Sequence, residues 1–342
     1  MRRLFILSGM LACIISGCKR ENVPVYPGIL VSGYVSGNRV DSADNATYQS
    51  YDRVIYASIS PDAVGDFQLS AADSLNLLSL KSKLTANQQL FVSIRDTVSS
   101  SSKGLAALSA NAPKRGNFVN AVTAFCLRWK IQGVDLNWEM MGTPPTAPVL
   151  PNAADYVTLS QELAAALHSN NLLFTEAIGV YYTQLGGSVV SSSSSYYNLA
   201  GLTHKWTDQI HLIAYGPYAI DATLYQAPMV QVQNWLGNLL SYGIPGSKIS
   251  LGVPFSGYHA SIISVDPTPN FITYRSIVAQ ANPAPSVNMF MNYGFNGVDL
   301  VGKKVAYLRQ YGFGGVLASD ISHDTTVASG YSLTATLAAA KK

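Results

Sequence analysis

The sequence predicts a single (β/α)8 TIM barrel of the α/β class, in which parallel strands alternate with helices. Eight short runs rich in β-branched and aromatic residues have the length of buried strands, and they cover residues 28–36, 53–60, 88–96, 133–139, 172–179, 209–216, 248–255 and 314–321. Helix-like stretches separate most of these runs, as where Leu159, Leu163 and Leu167 recur at helical spacing. No internal repeat or second-domain boundary is visible. Strand-then-helix units over about 300 residues are typical of this barrel.

The fourth run carries three polar side chains on one face. Side chains alternate along a strand, so Asp135, Asn137 and Glu139 point one way and the apolar residues between them point the other. Barrel interiors also hold structural carboxylates, but burying two of them is costly unless hydrogen bonds or a function compensate. Glu139 falls at the carboxyl end of the run, where barrel enzymes place their chemistry. The run therefore predicts an active site.

The amino terminus predicts export. An apolar run over residues 4–16 follows Arg2 and Arg3, and it is shorter than the roughly 20 residues that span a bilayer, so we expect a signal peptide over 1–17. The end of this segment, Ile15-Ser16-Gly17-Cys18, resembles the lipobox of bacterial lipoproteins. That resemblance implies a lipid on Cys18, a lipidated tether over 18–27 and a barrel over 28–342 in the bacterial cell envelope, at the outer membrane or cell surface. Ordinary cleavage nearby, leaving Cys18 as a plain thiol, is the alternative.

Cysteine and histidine usage argues against a metal or redox site. Cys126 lies in an apolar stripe with helical spacing, which favours a packed core cysteine. The other cysteines are scattered and the five histidines lack ligand spacing. We expect no metal and no cofactor.

Charge and composition narrow the partners. The net charge of +3 becomes +1 without Arg2 and Arg3 (3 minus 2), which offers nothing to steer nucleic acid. Only 12% of residues are charged, against roughly 25% in typical domains. The sequence also contains 20 tyrosines. Such a surface is compatible with a neutral sugar ligand, although tyrosine is equally useful in a core. We expect a monomer that binds no nucleic acid.

Several motifs recur near the predicted strand ends. In the fourth strand, Gly133, Asp135, Trp138 and Glu139 match the pattern Asp-Gly-x-Asp-x-Asp-x-Glu with Trp before the Glu, while Gln132 and Asn137 replace aspartates. Looser matches are Gly33-Tyr34, Tyr215, Gly252-Val253-Pro254-Phe255 and Phe313-Gly314-Gly315-Val316. Over nearly the whole mature chain these motifs resemble glycoside hydrolase family 18, the chitinases and endo-β-N-acetylglucosaminidases.

The resemblance implies a substrate-assisted, retaining hydrolysis in which the sugar's own acetamido oxygen attacks the anomeric carbon. By it, Glu139 is the acid/base, Asp135 orients and tunes Glu139, and Tyr215 donates its hydroxyl to the acetamido carbonyl. Asn137 would accept a hydrogen bond from the acetamido N–H. The expected partner is an N-acetylglucosamine-containing oligosaccharide or glycan. The residues expected to contact it are Tyr34, Trp138, Tyr218 and Ser319.

Departures from the family pattern concern the centre of the site. Asn137 has no charge with which to stabilise an oxazolinium, although the related family 85 uses Asn in the matching role. Gly216 replaces the aspartate that follows the tyrosine, and Ser319 or a neighbour stands where the family has a Trp floor. Arg95 and Asp96 replace small residues of the third strand, where they line the pocket or pair with each other.

Two functional interpretations follow. In the first, the protein cleaves β-1,4 links next to N-acetylglucosamine, in chitin oligosaccharides or N-glycan cores. In the second, the same barrel is a noncatalytic or nearly inactive glycan-binding surface lipoprotein. The presence of Glu139 favours the enzyme, because a pure binder has no need of a buried acid. We expect His211 and Asp208, at the amino end of the sixth strand, to be structural.

Overall fold

The computed structural model describes residues 28–62, 64–95, 104–138, 152–180, 182–185, 188–191, 193–216, 225–259 and 271–341. The strands in these residues are β1 (Leu30–Ser36), β2 (Arg53–Ile59), β3 (Gln89–Arg95), β4 (Gly133–Asn137), β5 (Leu173–Gly179), β6 (Tyr182–Leu185), β7 (Ser188–Ser191), β8 (Gln209–Ile213), β9 (Ile249–Val253), β10 (Ser256–His259), β11 (Phe271–Thr273), β12 (Met289–Phe290), β13 (Tyr293–Gly294) and β14 (Gly315–Ala318).

Eight of these strands close into a parallel barrel. Their order around it is β1-β14-β9-β8-β5-β4-β3-β2, and each neighbouring pair is parallel. Each barrel strand lies within one of the eight runs found in the sequence, so the prediction of a single (β/α)8 barrel is confirmed. The barrel strands end up to three residues before the predicted boundaries.

Helices cover the outside of the barrel. They are α1 (Asn45–Gln49), α2 (Ala71–Lys83), α3 (Gly104–Ser109), α4 (Ala112–Trp129), α5 (Ala153–His168), α6 (Ser193–Thr203), α7 (Met229–Ser241), α8 (Tyr274–Ala281), α9 (Val298–Gln310) and α10 (Leu333–Ala338). Cys126 lies on the buried face of α4, where burial raises the pKa of its thiol to about 12. The prediction of a packed core cysteine is thereby confirmed.

The alternation of strand side chains creates two separate cores. The outward-facing residues pack against the helices, as Val134 and Leu136 of β4 do. The inward-facing residues form a smaller apolar cluster within the barrel, which includes Ile55, Phe91 and Leu317. Polar residues share this interior, and they position the site described below.

A small antiparallel sheet lies between the seventh and eighth barrel strands. It has the order β11-β10-β13-β12, and α8 follows β11 directly. The proline-rich sequence of this segment did not indicate an inserted unit, because its strands are only two to four residues long. Among the described residues, no helix has the length and apolar character needed to cross a bilayer.

Candidate active site

Asp135 is the buried centre of the site. Tyr34 donates its hydroxyl to Asp135 Oδ2 at 2.6 Å, and Thr175 donates to Oδ1 at 2.7 Å. A weaker contact at 3.4 Å comes from Ser93 Oγ. Burial raises the pKa of the Asp135 carboxyl, but His211 and these hydrogen bonds outweigh burial and hold the pKa below its usual range. Four barrel strands therefore fix an ionised carboxylate beneath the strand ends.

His211 on β8 makes the fourth contact with this carboxylate. Its Nδ1 lies 2.9 Å from Asp135 Oδ1, and its Nε2 lies 3.3 Å from Gln209 Oε1. Arg53 extends this series of hydrogen bonds, because it donates to Gln209 Oε1 at 2.9 Å and to Gln89 Oε1 at 3.0 Å. Hydrogen bonds thus connect the amino ends of the strands with the base of the site. We call the five residues that form them the lower network; they are Asp135, His211, Gln209, Arg53 and Gln89.

The position predicted for His211 was wrong. The residue is the third of five in β8, it is fully buried, and it touches Asp135 instead of marking the amino end of the strand. Asp208 does lie at that end, where its carboxylate accepts a hydrogen bond from Phe174 N at 2.7 Å. The available signal for His211 was its alternation with Gln209, since both occupy inward-facing positions of an otherwise apolar strand.

A cleft of about 360 Å³ opens above Asp135 at the carboxyl ends of the strands. This volume is typical of a small-ligand site. Asn137 lines the cleft on the same face of β4 as Asp135, and its Oδ1 is buried without a hydrogen-bond partner among the described residues. A buried acceptor without a partner costs about 1–3 kcal/mol. Asn137 Oδ1 is therefore placed to accept a hydrogen bond from a bound molecule.

Tyr215 and Gly216 follow β8 and line the same cleft. Gly252 leaves room for the tyrosine ring, because a Cβ at Gly252 would lie 2.8 Å from Tyr215 Cε1. Gly216 has a φ of +94°, in the region that disfavours residues with a side chain. An aspartate at this position would thus be strained, which gives a physical reason for the glycine.

The small inserted sheet contributes an aromatic wall to the cleft. The rings of Tyr258 and Phe271 meet edge to face with centroids 5.4 Å apart, and His323 packs against Phe271 at 5.1 Å. Burial and the charges of Arg39 and Arg275 lower the pKa of His323 to about 4, against the effect of Asp320. His323 is therefore neutral near pH 7, and its Nε2 can accept a hydrogen bond from Arg39.

The floor next to the eighth strand is polar. Ser319 lines the cleft, and its hydroxyl accepts a hydrogen bond from Phe255 N at 2.9 Å. Asp320 also lines the cleft and accepts hydroxyl hydrogen bonds from Ser36 at 2.7 Å and Ser322 at 2.5 Å. Hydroxyls and a carboxylate thus occupy the end of the eighth strand.

Arg95 adds a cation to this cleft. It lies opposite Asn137 in the pairing of β3 with β4, and it lines the cleft. No carboxylate among the described residues forms an ion pair with its guanidinium. Arg95 therefore lines the pocket, and the alternative in which it pairs with Asp96 stays a prediction, because Asp96 lies outside the described residues.

The profile of "Glycosyl hydrolases family 18" matches residues 31–324, which is most of the chain. The chain belongs to this family. The resemblance found in the strand motifs is thereby confirmed. The matched span contains all of the barrel strands except Leu30, the first residue of β1, together with the inserted sheet and all of the cleft residues described above.

The curated relatives differ from this chain at most positions of their sequences. A probable chitinase 2 from Drosophila melanogaster is 27% identical over 165 residues, which are 46% of this chain and 32% of that protein. A chitinase-like effector from Moniliophthora perniciosa is 25% identical over 255 residues, which are 68% of this chain and 56% of the effector. The chain thus spans between about a third and just over half of the length of these curated relatives.

Solved structures share the fold. The family 18 chitinase ChiB of Flavobacterium johnsoniae has a TM-score of 0.68 and 20% identity, with 92% of this chain and 94% of that chain covered. A plant class V chitinase mutant from Cycas revoluta, crystallised in complex with (GlcNAc)3, has a TM-score of 0.71 and 16% identity, with 92% and 100% covered. At these identities the likeness supports the barrel architecture alone.

The family 18 fold brings together five of the residues proposed from the sequence. Tyr34, Asn137, Tyr215 and Ser319 line one cleft, and Asp135 lies directly beneath it. Tyr34 is only 4% exposed, and its hydroxyl donates to Asp135.

Trp138 is not in the cleft. Its side chain is 2% exposed and packs on the helix side of the barrel, with its ring centroid 5.6 Å from that of Tyr156 in α5. Residue 138 lies one position after Asn137, and strand alternation turns it to the opposite face. The expectation that Trp138 contacts substrate is therefore corrected: its place is in the outer core.

The remaining sequence-based assignments fall on other parts of the chain. Glu139, Tyr218, Cys18 and residues 1–27 lie outside the described residues. Their expected roles remain predictions, of which the acid/base role of Glu139 matters most for the chemistry.

Proposed function

We propose that this family 18 barrel hydrolyses β-1,4 links next to N-acetylglucosamine, in chitin-type chains or N-glycan cores, by substrate-assisted retaining catalysis. The sugar's acetamido oxygen attacks the anomeric carbon as Glu139 protonates the departing oxygen, which breaks the glycosidic bond and leaves an oxazolinium ion. Glu139 then takes a proton from water as the water opens this intermediate. No metal or cofactor takes part in this proposed cycle.

The unpaired acceptor on Asn137 is the observation that carries the proposal. An acetamido group has one N–H donor, and Asn137 Oδ1 is buried without a partner among the described residues at the base of the cleft. A hydrogen bond between them would satisfy this oxygen and turn the acetamido carbonyl toward the anomeric carbon. Tyr215, which lines the same cleft, would hold the carbonyl oxygen in line.

Asp135 supports the acid in this scheme. Its fixed negative charge lies on the same strand face as Asn137, and the sequence pattern predicts the same face for Glu139. A nearby negative charge favours the protonated form of Glu139, which is the form that a general acid needs before bond cleavage. The lower network would thus tune the acid from beneath.

Chitin-type oligosaccharides are the first substrate class to test. The family assignment and the (GlcNAc)3 ligand of the Cycas revoluta relative support it. The aromatic faces of Tyr258 and Phe271 support it as well, because aromatic side chains offer flat apolar surfaces against which a sugar ring can pack.

Product analysis by mass spectrometry tests the proposal. The protein, its Glu139→Gln variant and a Glu162→Gln control are each incubated with chitin oligosaccharides and with high-mannose and complex N-glycopeptides. Glu162 is on the outer helix α5, where it pairs with Arg115 at 2.8 Å, so its substitution leaves the cleft unchanged. We expect cleavage by the protein and the control and none by Glu139→Gln. Equal cleavage by all three would contradict the assignment of the acid.

Glycan capture without cleavage is a second candidate that the polar floor favours. Ser319 and Asp320 offer hydroxyl and carboxylate groups but no flat ring at the eighth strand. If the protein cleaves none of these glycans, and the protein and Glu139→Gln bind one of them with equal affinity, capture replaces hydrolysis as the function.

We also propose that Cys18 carries lipid and anchors the barrel, as a monomer, to the bacterial cell envelope. The lipobox-like Ile15-Ser16-Gly17-Cys18 sequence supports this. Labelling with a radioactive fatty acid in a bacterial host tests it. Incorporation that disappears in Cys18→Ser is expected, and equal labelling of both proteins would contradict the anchor.

A further inference from the structure

His211 and Asp135 form a fully buried pair that the family assignment does not account for. Both side chains are 0% exposed, and Nδ1 lies 2.9 Å from Oδ1. We propose that His211 is a doubly protonated positioning residue that neutralises Asp135 and holds its carboxylate beneath the cleft. This inference rests on the proposed hydrolase function, to which it adds a residue that acts through Asp135.

The hydrogen bonds of Gln209 fix one of the two ring protons. Arg53 has donors only, so the Gln209 atom that faces it at 2.9 Å must be the carbonyl oxygen. His211 Nε2 faces the same oxygen at 3.3 Å, and an oxygen can only accept. Nε2 therefore carries a proton.

The surroundings of Asp135 fix the second proton. Tyr34 donates to Oδ2, and Thr175 donates to Oδ1, so both carboxylate oxygens already act as acceptors. An ionised Asp135 then requires a donor at His211 Nδ1, because a lone pair there would face a negative oxygen. The ring therefore carries two protons and one positive charge, and the pair is neutral as a whole.

The charged and titratable groups around His211 agree with this state. Asp135 is on β4, Tyr34 on β1 meets the His211 ring edge to face at 6.3 Å, and Arg53 on β2 reaches it only through Gln209. The adjacent positions in the neighbouring strands are Ala177 and Ser250, which are not charged. Asp135 is thus the one described carboxylate in direct contact with the ring.

This pair has a consequence for the acid. With His211 in place, Oδ1 of Asp135 is held toward β8, and the imidazolium offsets part of the effect that the carboxylate's negative charge has on Glu139. Without the imidazolium charge, the full negative charge of Asp135 would act on Glu139 and favour its protonated form.

Nitrogen NMR of the full chain labelled with ¹⁵N-histidine tests the protonation state without any substrate. We expect two ring N–H correlations that disappear in His211→Asn, and the Nδ1 correlation should change in Asp135→Asn. A single ring N–H for His211 would overturn the proposal. Because this readout needs no turnover, it stands apart from the Glu139→Gln assay that tests the hydrolase.

Matched variants test the positioning role by the pH profile of kcat/KM. His211→Asn keeps an amide donor near the Nδ1 position but no charge, whereas His211→Gln places its amide near the Nε2 position and withdraws the donor from Asp135. We expect His211→Asn to keep activity within about ten-fold while its basic limb moves to higher pH, and His211→Gln to lose about 100-fold. A purely structural role would lower the melting temperature and leave the pH profile unchanged, and that result would overturn the proposal.

Discussion

The lower network and the cleft above it treat polar groups in opposite ways. In the lower network, the Gln209 oxygen accepts from both Arg53 and His211, and both Asp135 oxygens accept hydrogen bonds. In the cleft, Asn137 Oδ1 has no partner among the described residues, and Arg95 forms no ion pair with a described carboxylate. The two regions lie two residues apart along β4, because Asp135 belongs to the lower network and Asn137 lines the cleft.

This difference separates stability from function. Removing one member of a satisfied buried network lowers the free energy of unfolding, because the partners of that residue are left without hydrogen bonds. A buried acceptor without a partner destabilises the ligand-free protein, and a ligand that donates a hydrogen bond to it removes this cost and so binds more tightly. Substitutions in the lower network should therefore change stability most, and substitutions in the cleft should change binding and turnover.

The largest effect on stability is expected from Arg53→Met. Arg53 is 4% exposed, and burial lowers its pKa to about 10 against the opposing charges of Asp135, Asp208 and Asp52, so it is still a cation at neutral pH. Its loss leaves the Gln89 oxygen without this donor and weakens the support of Gln209. We expect the free energy of unfolding to fall by about 3 kcal/mol.

Urea titration followed by circular dichroism measures this change. The matched control is Arg309→Met on the exposed face of α9, which should change the free energy of unfolding by less than about 0.5 kcal/mol. An equally small change for Arg53→Met would mean that the lower network contributes nothing to the stability of the barrel.

Asn137→Ala, in contrast to Arg53→Met, should lower turnover while leaving stability intact. It removes the unpaired acceptor, so the free energy of unfolding should stay the same or rise slightly. If the acetamido group binds there, kcat/KM on chitin oligosaccharides should fall about 100-fold. Steady-state kinetics and thermal melting measure both quantities, with Asn238→Ala on the exposed face of α7 as the control. A loss of stability equal to that of Arg53→Met would place Asn137 in the structural network.

Sequence patterns predicted the barrel better than they predicted the cleft. Each of the eight strands lies in a run of β-branched and aromatic residues, because a parallel strand covered on both faces needs such residues. The alternation in β4 correctly placed Asp135 and Asn137 inside, yet the same alternation put Trp138 outside, against the family-based expectation. Local geometry was therefore the better guide at that residue.

The contacts that the sequence did not predict join distant parts of the chain. His211 and Asp135 are 76 residues apart, and Arg53 and Gln209 are 156 apart. Which inward-facing residues meet depends on the stagger of the closed barrel, which no local pattern records. Phe271 reaches the cleft from a three-residue strand, too short for its periodicity to be recognised.

The smallest of the three effects concerns Glu176, which lies one residue after Thr175 and so on the outer face of β5. It is 0% exposed, with Thr203 donating to Oε2 at 2.5 Å, and burial raises its pKa to about 7. An unfolded glutamate titrates near 4.5. Between these values the folded state keeps a proton that the unfolded state has released, so stability falls as the pH rises from about 4.5 to 7.

Glu176→Gln should remove that slope, because glutamine does not titrate. At about pH 8 the variant should be more stable than the protein by about 2 kcal/mol, and near pH 4 the two should be similar. Thermal melts across this range measure the difference, and Glu162→Gln on the surface of α5 is the matched carboxylate control. A Glu176→Gln protein that is less stable than the unchanged protein at about pH 8 would mean that the ionised carboxylate is satisfied by its hydrogen bonds. The outer face of β5 would then resemble the lower network, where buried charge is held by partners, and not the cleft.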